Sequence, residues 1–324
     1  MSSDLAYIAL LSSVQKYLFQ YGGPILIAIG TFSCILSLAV FARKNLRNNP
    51  CSIYLIALNI ANLLLIYTSI LSSTLVYGFD LIQLFSSLVF CRFYFYTTIL
   101  FDVLSPFYLI LASIDRILIT SPSAVTRRKS TRRLAYISIA AVTIFWVCAH
   151  SYNLIVPQLI EIVPGYFNCA FLSKLLEGLA YYSLIFKGIV VPIIMIVCGL
   201  WPTRNIRQIR RVRIQNRALS KRGTRNGNPP HMNSKDTQLV WITLINTGVY
   251  LICSLMISIV LMYQQITQYD SKSDLQTQID NFVMTMARLI DFVPFCVECY
   301  TNMFVSKTFR TEVKNLFLSY RSNG

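Results

Sequence analysis

Several ionisable residues of this sequence stand inside long apolar runs. Asp115-Arg116 closes one run, Asp102 lies within it, Lys187 sits in a second, and Arg288, Asp291 and Glu298 share a third. A charge at the centre of a bilayer costs roughly 2.5–3.5 kcal/mol on insertion scales, so it turns toward a cavity or a counter-ion. Asp102 therefore has two readings: an anionic group in a ligand pocket, suited to a basic peptide, or a structural partner for Arg288 or Lys187. Arg288 and Asp291 stand three residues apart. They either look into a bundle from one broad face or neutralise each other along the helix. Arg116 can pair with Asp115 and with an acid on a neighbouring helix, or simply reach to the membrane interface. His150 reads as a packed histidine, because the only other one, His231, lies in a distant polar loop. There is no Gly-rich phosphate loop, no metal-spaced His/Cys cluster and no Ser/His/Asp set outside the apolar runs. No enzyme, cofactor or metal is expected.

The elements that carry these residues follow from composition. Hydrophobic residues make up 55% of the chain and charged residues 13%, about half the charge of a soluble domain. The stretch from Pro24 to Ala42 holds no charge, and about 20 apolar residues span a bilayer as a helix. Strands of a barrel would be shorter and alternating. The runs predict helices at 22–43, 51–77, 88–120, 134–157, 177–201, 237–264 and 280–304, with a short eighth at 306–319. The expected fold is an all-α membrane protein: a seven-transmembrane-helix bundle over 22–304, preceded by an extracellular amino terminus (1–21) and followed by helix eight and a cytoplasmic tail (305–324). The polar loop 202–236 carries the helix breaker Pro229-Pro230. Asp4 and Lys16 disfavour a signal peptide, so the first helix is expected to act as its own insertion signal. The last helix is amphipathic: Phe309, Val313, Leu316, Phe317 and Tyr320 recur on one face, flanked by Lys307, Arg310 and Lys314 as suits a helix lying on lipid.

Charge sets the orientation. Of 29 Lys and Arg, 23 fall in the connections after helices one, three and five and in the tail. These include Lys221, Arg222 and Arg225, and only Asp115, Asp236 and Glu312 oppose them. The positive-inside rule places them in the cytoplasm and the amino terminus outside, which requires an odd number of spans. The same rule and attraction to anionic lipid explain the net charge of +16, so no nucleic-acid partner is expected. Among nine cysteines, only Cys91 and Cys169 fall at the outer face. That side is oxidising, so the two are expected to form a disulfide.

At this point the residues resemble a family. Cys91 opening helix three, Asp115-Arg116-Ile117 closing it, Trp146, Pro192 and the helix-eight run Ser306-Lys307-Thr308-Phe309-Arg310 resemble the rhodopsin-like G-protein-coupled receptors. The stretch LSLAVFARKNLRNNPCSIYLIALNIANLL, within Ser33 to Leu64, is similar to invertebrate FMRFamide-type neuropeptide receptors. The resemblance implies a plasma-membrane receptor that passes a signal from an extracellular ligand, a peptide, to a heterotrimeric G protein. It places Asp236 where the family keeps the helix-six acid that pairs with the helix-three arginine. Asp115, Arg116, Asp236 and Tyr300 thus become the switch residues, and Thr98, Asp102, Lys187, Arg288 and Asp291 the ligand pocket. Thr98 stands where amine receptors keep an aspartate, which argues against an amine ligand. Ile290 stands where opsins keep the retinal lysine. The chain also departs from the family. Cys34 replaces an asparagine, and Asn62 replaces the aspartate that helps hold sodium. Leu200 replaces the helix-five tyrosine, and Ser254 and Met256 replace the helix-six Trp and Pro. Cys296-Val297-Glu298-Cys299-Tyr300 keeps only the tyrosine of the helix-seven motif. A receptor-like protein without G-protein coupling and a transporter or channel subunit are the alternatives.

Overall fold

The computed structural model describes residues 2–81, 87–163, 166–170, 178–179, 181–220 and 234–322; the basic loop residues Lys221, Arg222 and Arg225 lie outside them. Helix α1 covers residues 2–41, with a widened π turn at Leu18–Gly22. Then come α2 (Pro50–Phe79), α3 (Leu88–Thr120) and α4 (Arg132–Ala149). A hairpin of β1 (Gln158–Val163) and β2 (Tyr166–Ala170) follows, antiparallel, with Leu159 opposite Cys169. Helix α5 covers 183–220, π-helical over Ser183–Val190 and α-helical over Val191–Ser220. Helix α6 is Ser234–Ile266, α7 joins Asp274–Asp291 to Val293–Val305, and α8 is Lys307–Ser322.

Local chemistry explains the helix ends. Asn49 caps α2 by accepting from the Cys51 N–H at 3.0 Å, and Pro50 follows at the first turn, where its missing donor costs nothing. Thr131 caps α4 through the Leu134 N–H at 3.2 Å. Asp80 ends α2 in the left-handed region at φ 55°, which aspartate tolerates better than most residues, and its carboxylate pairs with Lys16 on α1. Helix α7 breaks at Phe292 because Pro294 has no N–H for the Ile290 carbonyl.

Among the described residues, six helices are long and apolar enough to cross a membrane. The seventh, α7, is interrupted and carries Asp280, Arg288, Asp291 and Glu298. It joins the bundle by packing on α1 and α6. The burial pattern is that of a protein in lipid. Ile252 is 71% and Leu255 58% exposed, whereas Asn59, Asn62, Ser105 and Asn302 are buried. Helix α3 lies at the centre, against α2, α4, α5 and α6. Its Leu100, Val103, Leu104 and Leu109 pack with Leu55, Leu58, Ile242 and Phe295 in one core.

The three largest boundary differences from the sequence reading fall in the first, fourth and fifth helices. The first helix begins at Ser2, so most of the amino-terminal segment continues it. The fifth helix runs through Pro202 to Ser220, so much of the polar loop 202–236 is helix. The Thr203 hydroxyl, donating to the Leu200 carbonyl at 2.6 Å, supports the backbone beside that proline. The fourth helix stops at Ala149 and gives way to a tight turn over Ser151–Leu154. Helix α8 docks by Phe309, whose ring lies 5.4 Å from Phe41, and by Glu312, which pairs with Arg43 at 3.3 Å.

Candidate functional site

The bundle has a basic end, which holds the α1–α2 and α3–α4 connections and α8, and an opposite hairpin end. At the basic end Arg116 has no exposed surface. Its guanidinium hydrogen-bonds Asp115, donates through Nη1 to Asp236 Oδ1 at 3.3 Å, and donates through Nη2 to Asn49 Oδ1 at 2.9 Å. Ser130, in the α3–α4 connection, donates to the other oxygen of Asp115. The structure therefore brings together Asp115, Arg116 and Asp236, and with them the ends of α3 and α6. At about 4 Å and an effective dielectric near 20, such a pair attracts by ~4 kcal/mol before desolvation. Asn49 is the member that sequence reasoning missed. The Asn-Pro pair marks a helix start, but nothing local says that the amide also meets Arg116.

Tyr300 does not join this cluster. Its side chain is 40% exposed, its hydroxyl reaches the Ile29 carbonyl at 3.5 Å, and its ring lies 6.5 Å from Phe32 on α1. At about 100° per residue, a position between inward-facing Glu298 and Asn302 must point away from the bundle.

Midway along the bundle, Lys187 on the π-helical part of α5 hydrogen-bonds Asp102 on α3 and lies 3.8 Å from Asp291 on α7. Of the two basic candidates for Asp102, Lys187 is the one that pairs with it. The pairing of Arg288 with Asp291 along the helix is corrected. Asp291 is buried and turns to the ammonium, while Arg288 is exposed. Thr98 lies half-buried one turn from Asp102 on α3, toward the hairpin end. At that end Cys91 and Cys169 form the disulfide, their Cα atoms 5.7 Å apart, and it ties β2 to the start of α3. His150 is packed against Trp146 and accepts or donates a 3.2 Å hydrogen bond with Tyr182.

Between these two clusters lies a polar knot. Glu298 is 3% exposed and accepts from the Asn62 amide at 3.4 Å, and Ser105 donates to the other end of that amide. Asn246 on α6 donates to Asn302 on α7 at 3.1 Å, and the Cys299 N–H donates to Ser33 on α1 at 2.9 Å. A small cavity of about 20 Å³ lies beside Asn62, Ser105, Asn246 and Glu298. The carboxylate that Asn62 lacks on α2 is supplied from α7. Glu298→Gln keeps an acceptor for Asn62 and removes an acid that forms no ion pair among the described residues. The variant is expected to melt at the same or a higher temperature in detergent, since an unpaired buried charge is costly to keep. A fall of several degrees would mean that the bundle uses the charge.

The family model described as 7 transmembrane receptor (rhodopsin family) matches residues 34–298, most of the chain. No curated protein matches the chain.

Proposed function

The chain belongs to the rhodopsin family of seven-transmembrane receptors, and from that premise we propose that this G-protein-coupled receptor responds to a neuropeptide. As a member of that family it is a multi-pass membrane protein that passes a signal from an extracellular ligand to a heterotrimeric G protein. The similarity of the α1–α2 region to FMRFamide-type receptors supports a peptide. In this reading the receptor stands in the plasma membrane with its basic end in the cytoplasm, on the strength of the 23 inner Lys and Arg and the positive-inside rule. The hairpin end then faces outward, and Thr98, Asp102, Lys187, Arg288 and Asp291 are the polar groups available to a ligand entering from that side.

The single observation that carries the mechanism is the contact of the buried Arg116 with Asp236. It fastens α3 to α6 where a G protein would have to enter. A ligand can shift this equilibrium only by binding the open bundle more tightly than the closed one. Opening separates Arg116 from Asp236 and gives the inner ends of α5 and α6 room to move. Arg207 and Arg211, on the extension of α5, would flank the entering G protein. Asp236→Asn removes the charge and keeps the size. It is expected to raise ligand-independent G-protein activation, normalised to surface level. Basal activity equal to that of the wild type would remove the support for a lock.

A further inference from the structure

We propose that Asn49 is a positioning residue of the switch: its side-chain amide fastens the start of α2 to both Arg116 and Asp236 in the closed bundle. The inference rests on reading the Arg116–Asp236 contact as a brake, and extends it to a third helix.

The amide makes three hydrogen bonds with three different elements. Its Oδ1 accepts from the Cys51 N–H at 3.0 Å and from Arg116 Nη2 at 2.9 Å, and its Nδ2 donates to Asp236 Oδ1 at 3.2 Å. This network fixes which way the amide points. Turned over, it would set its NH₂ group against two donors and its oxygen against a carboxylate. The base of the side chain is held as well. Asn49 is extended at φ −87° and ψ 127°, the conformation that a following proline imposes. Asp236 Oδ1 thus receives two donors, one from Arg116 and one from Asn49.

The consequence is geometric. An arginine and an aspartate alone could slide while staying paired, because the attraction between charges has little directionality. The amide adds a directional contact to each of them from a rigid helix start, so α6 cannot leave α3 without also leaving α2. The same connection reaches α4, where Arg132 donates to Asn48 Oδ1 at 3.2 Å.

Capping and switching can be separated, because serine and aspartate are also good N-caps. Asn49→Ser keeps the cap but is too short to reach Asp236. Asn49→Asp keeps the cap and the acceptor for Arg116, and replaces the donor to Asp236 with a like charge. A hydrogen bond to a charged group is worth enough to shift a closed-to-open ratio about tenfold. The test is ligand-independent G-protein activation per receptor at the surface, together with the melting temperature of the detergent-solubilised full chain. Both variants are expected to raise basal activity several-fold with the melting temperature little changed. Asn49→Ser is expected to add little on top of Asp236→Asn, as groups of one network do. If Asp236→Asn raises basal activity and the Asn49 variants do not, Asn49 only caps α2 and the inference is overturned while the brake stands. If none of them raises it, the brake itself is overturned.

Discussion

Lys187→Met is expected to destabilise the bundle by about 3 kcal/mol, at the low end of what breaking a buried ion pair costs. The ammonium is the only cation within 4 Å of Asp102 and Asp291 among the described residues. Methionine fills much the same volume and leaves two acids facing each other across α3, α5 and α7. The low end applies because the pair is not fully enclosed, the Lys187 and Asp102 side chains being 19% and 21% exposed. Asp102→Asn in the Lys187→Met background removes one of the two acids and is expected to recover a large part of the loss. The measurement is thermal melting of purified protein in detergent for the single and double variants. A single variant that melts with the wild type would show that the three groups are independent. The same substitutions separate two roles. If Lys187 only holds the bundle together, the double variant regains ligand affinity along with stability. If a ligand contacts the ammonium, stability returns and affinity does not.

Replacing Cys169 with serine has the second large expected effect, and it falls on signalling more than on folding. The disulfide joins residues separated by 78 positions. In a soluble chain, losing such a closure costs about 2–5 kcal/mol. Here α3 and α4 lie between the two cysteines, and insertion into the membrane already confines both. The cost to global stability is therefore expected near 2 kcal/mol, the bottom of that range. The hairpin is affected differently, because Cys169 is buried with Cys91, Val76, Phe90 and Leu159 in a small cluster of its own. Without the bridge, a two-stranded ribbon of this size has little to hold it. Cys169→Ser protein that reaches the surface is expected to lose its response to every ligand that activates the wild-type chain. It should keep the raised basal activity conferred by Asp236→Asn. A full ligand response from the serine variant would place the ligand away from the hairpin end.

The parts legible in the sequence are those that one segment decides with the bilayer or with its own neighbours. Apolar runs marked the membrane-spanning helices, since hydrophobic thickness is a property of a single stretch of chain. The bounds of α3, Leu88–Thr120, coincide with the reading of 88–120 even though Asp102 and Pro106 interrupt its hydropathy. The pairing of Cys91 with Cys169 was accessible because topology leaves only two cysteines on one side. The α5 extension was misread because Pro202 and the arginines after it signal a loop, while an α-helix absorbs one proline and continues as a polar rod.

What tertiary structure alone decided is which side chain meets which across helices. Asp102 had two basic candidates, and the choice of Lys187 over Arg288 depends on how α5 and α7 are rotated about their axes. No local pattern encodes that rotation. The π-helical geometry at Ser183–Val190 alters it further for α5. Tyr300 shows the same dependence: a motif match identified the residue type, and helix phase turned it toward Phe32 on α1, two positions past Glu298. Asn49 reversed the case, because it did not stand out by type, and Glu298 stood out by type with no partner to assign to it. One shows its role when the start of α2 meets the ends of α3 and α6, and the other when α7 places its carboxyl against the Asn62 amide. The number of spans follows from hydrophobic thickness, a one-dimensional quantity. Partners across the bundle depend on the phase and depth of seven helices at once, and only the packed fold sets those.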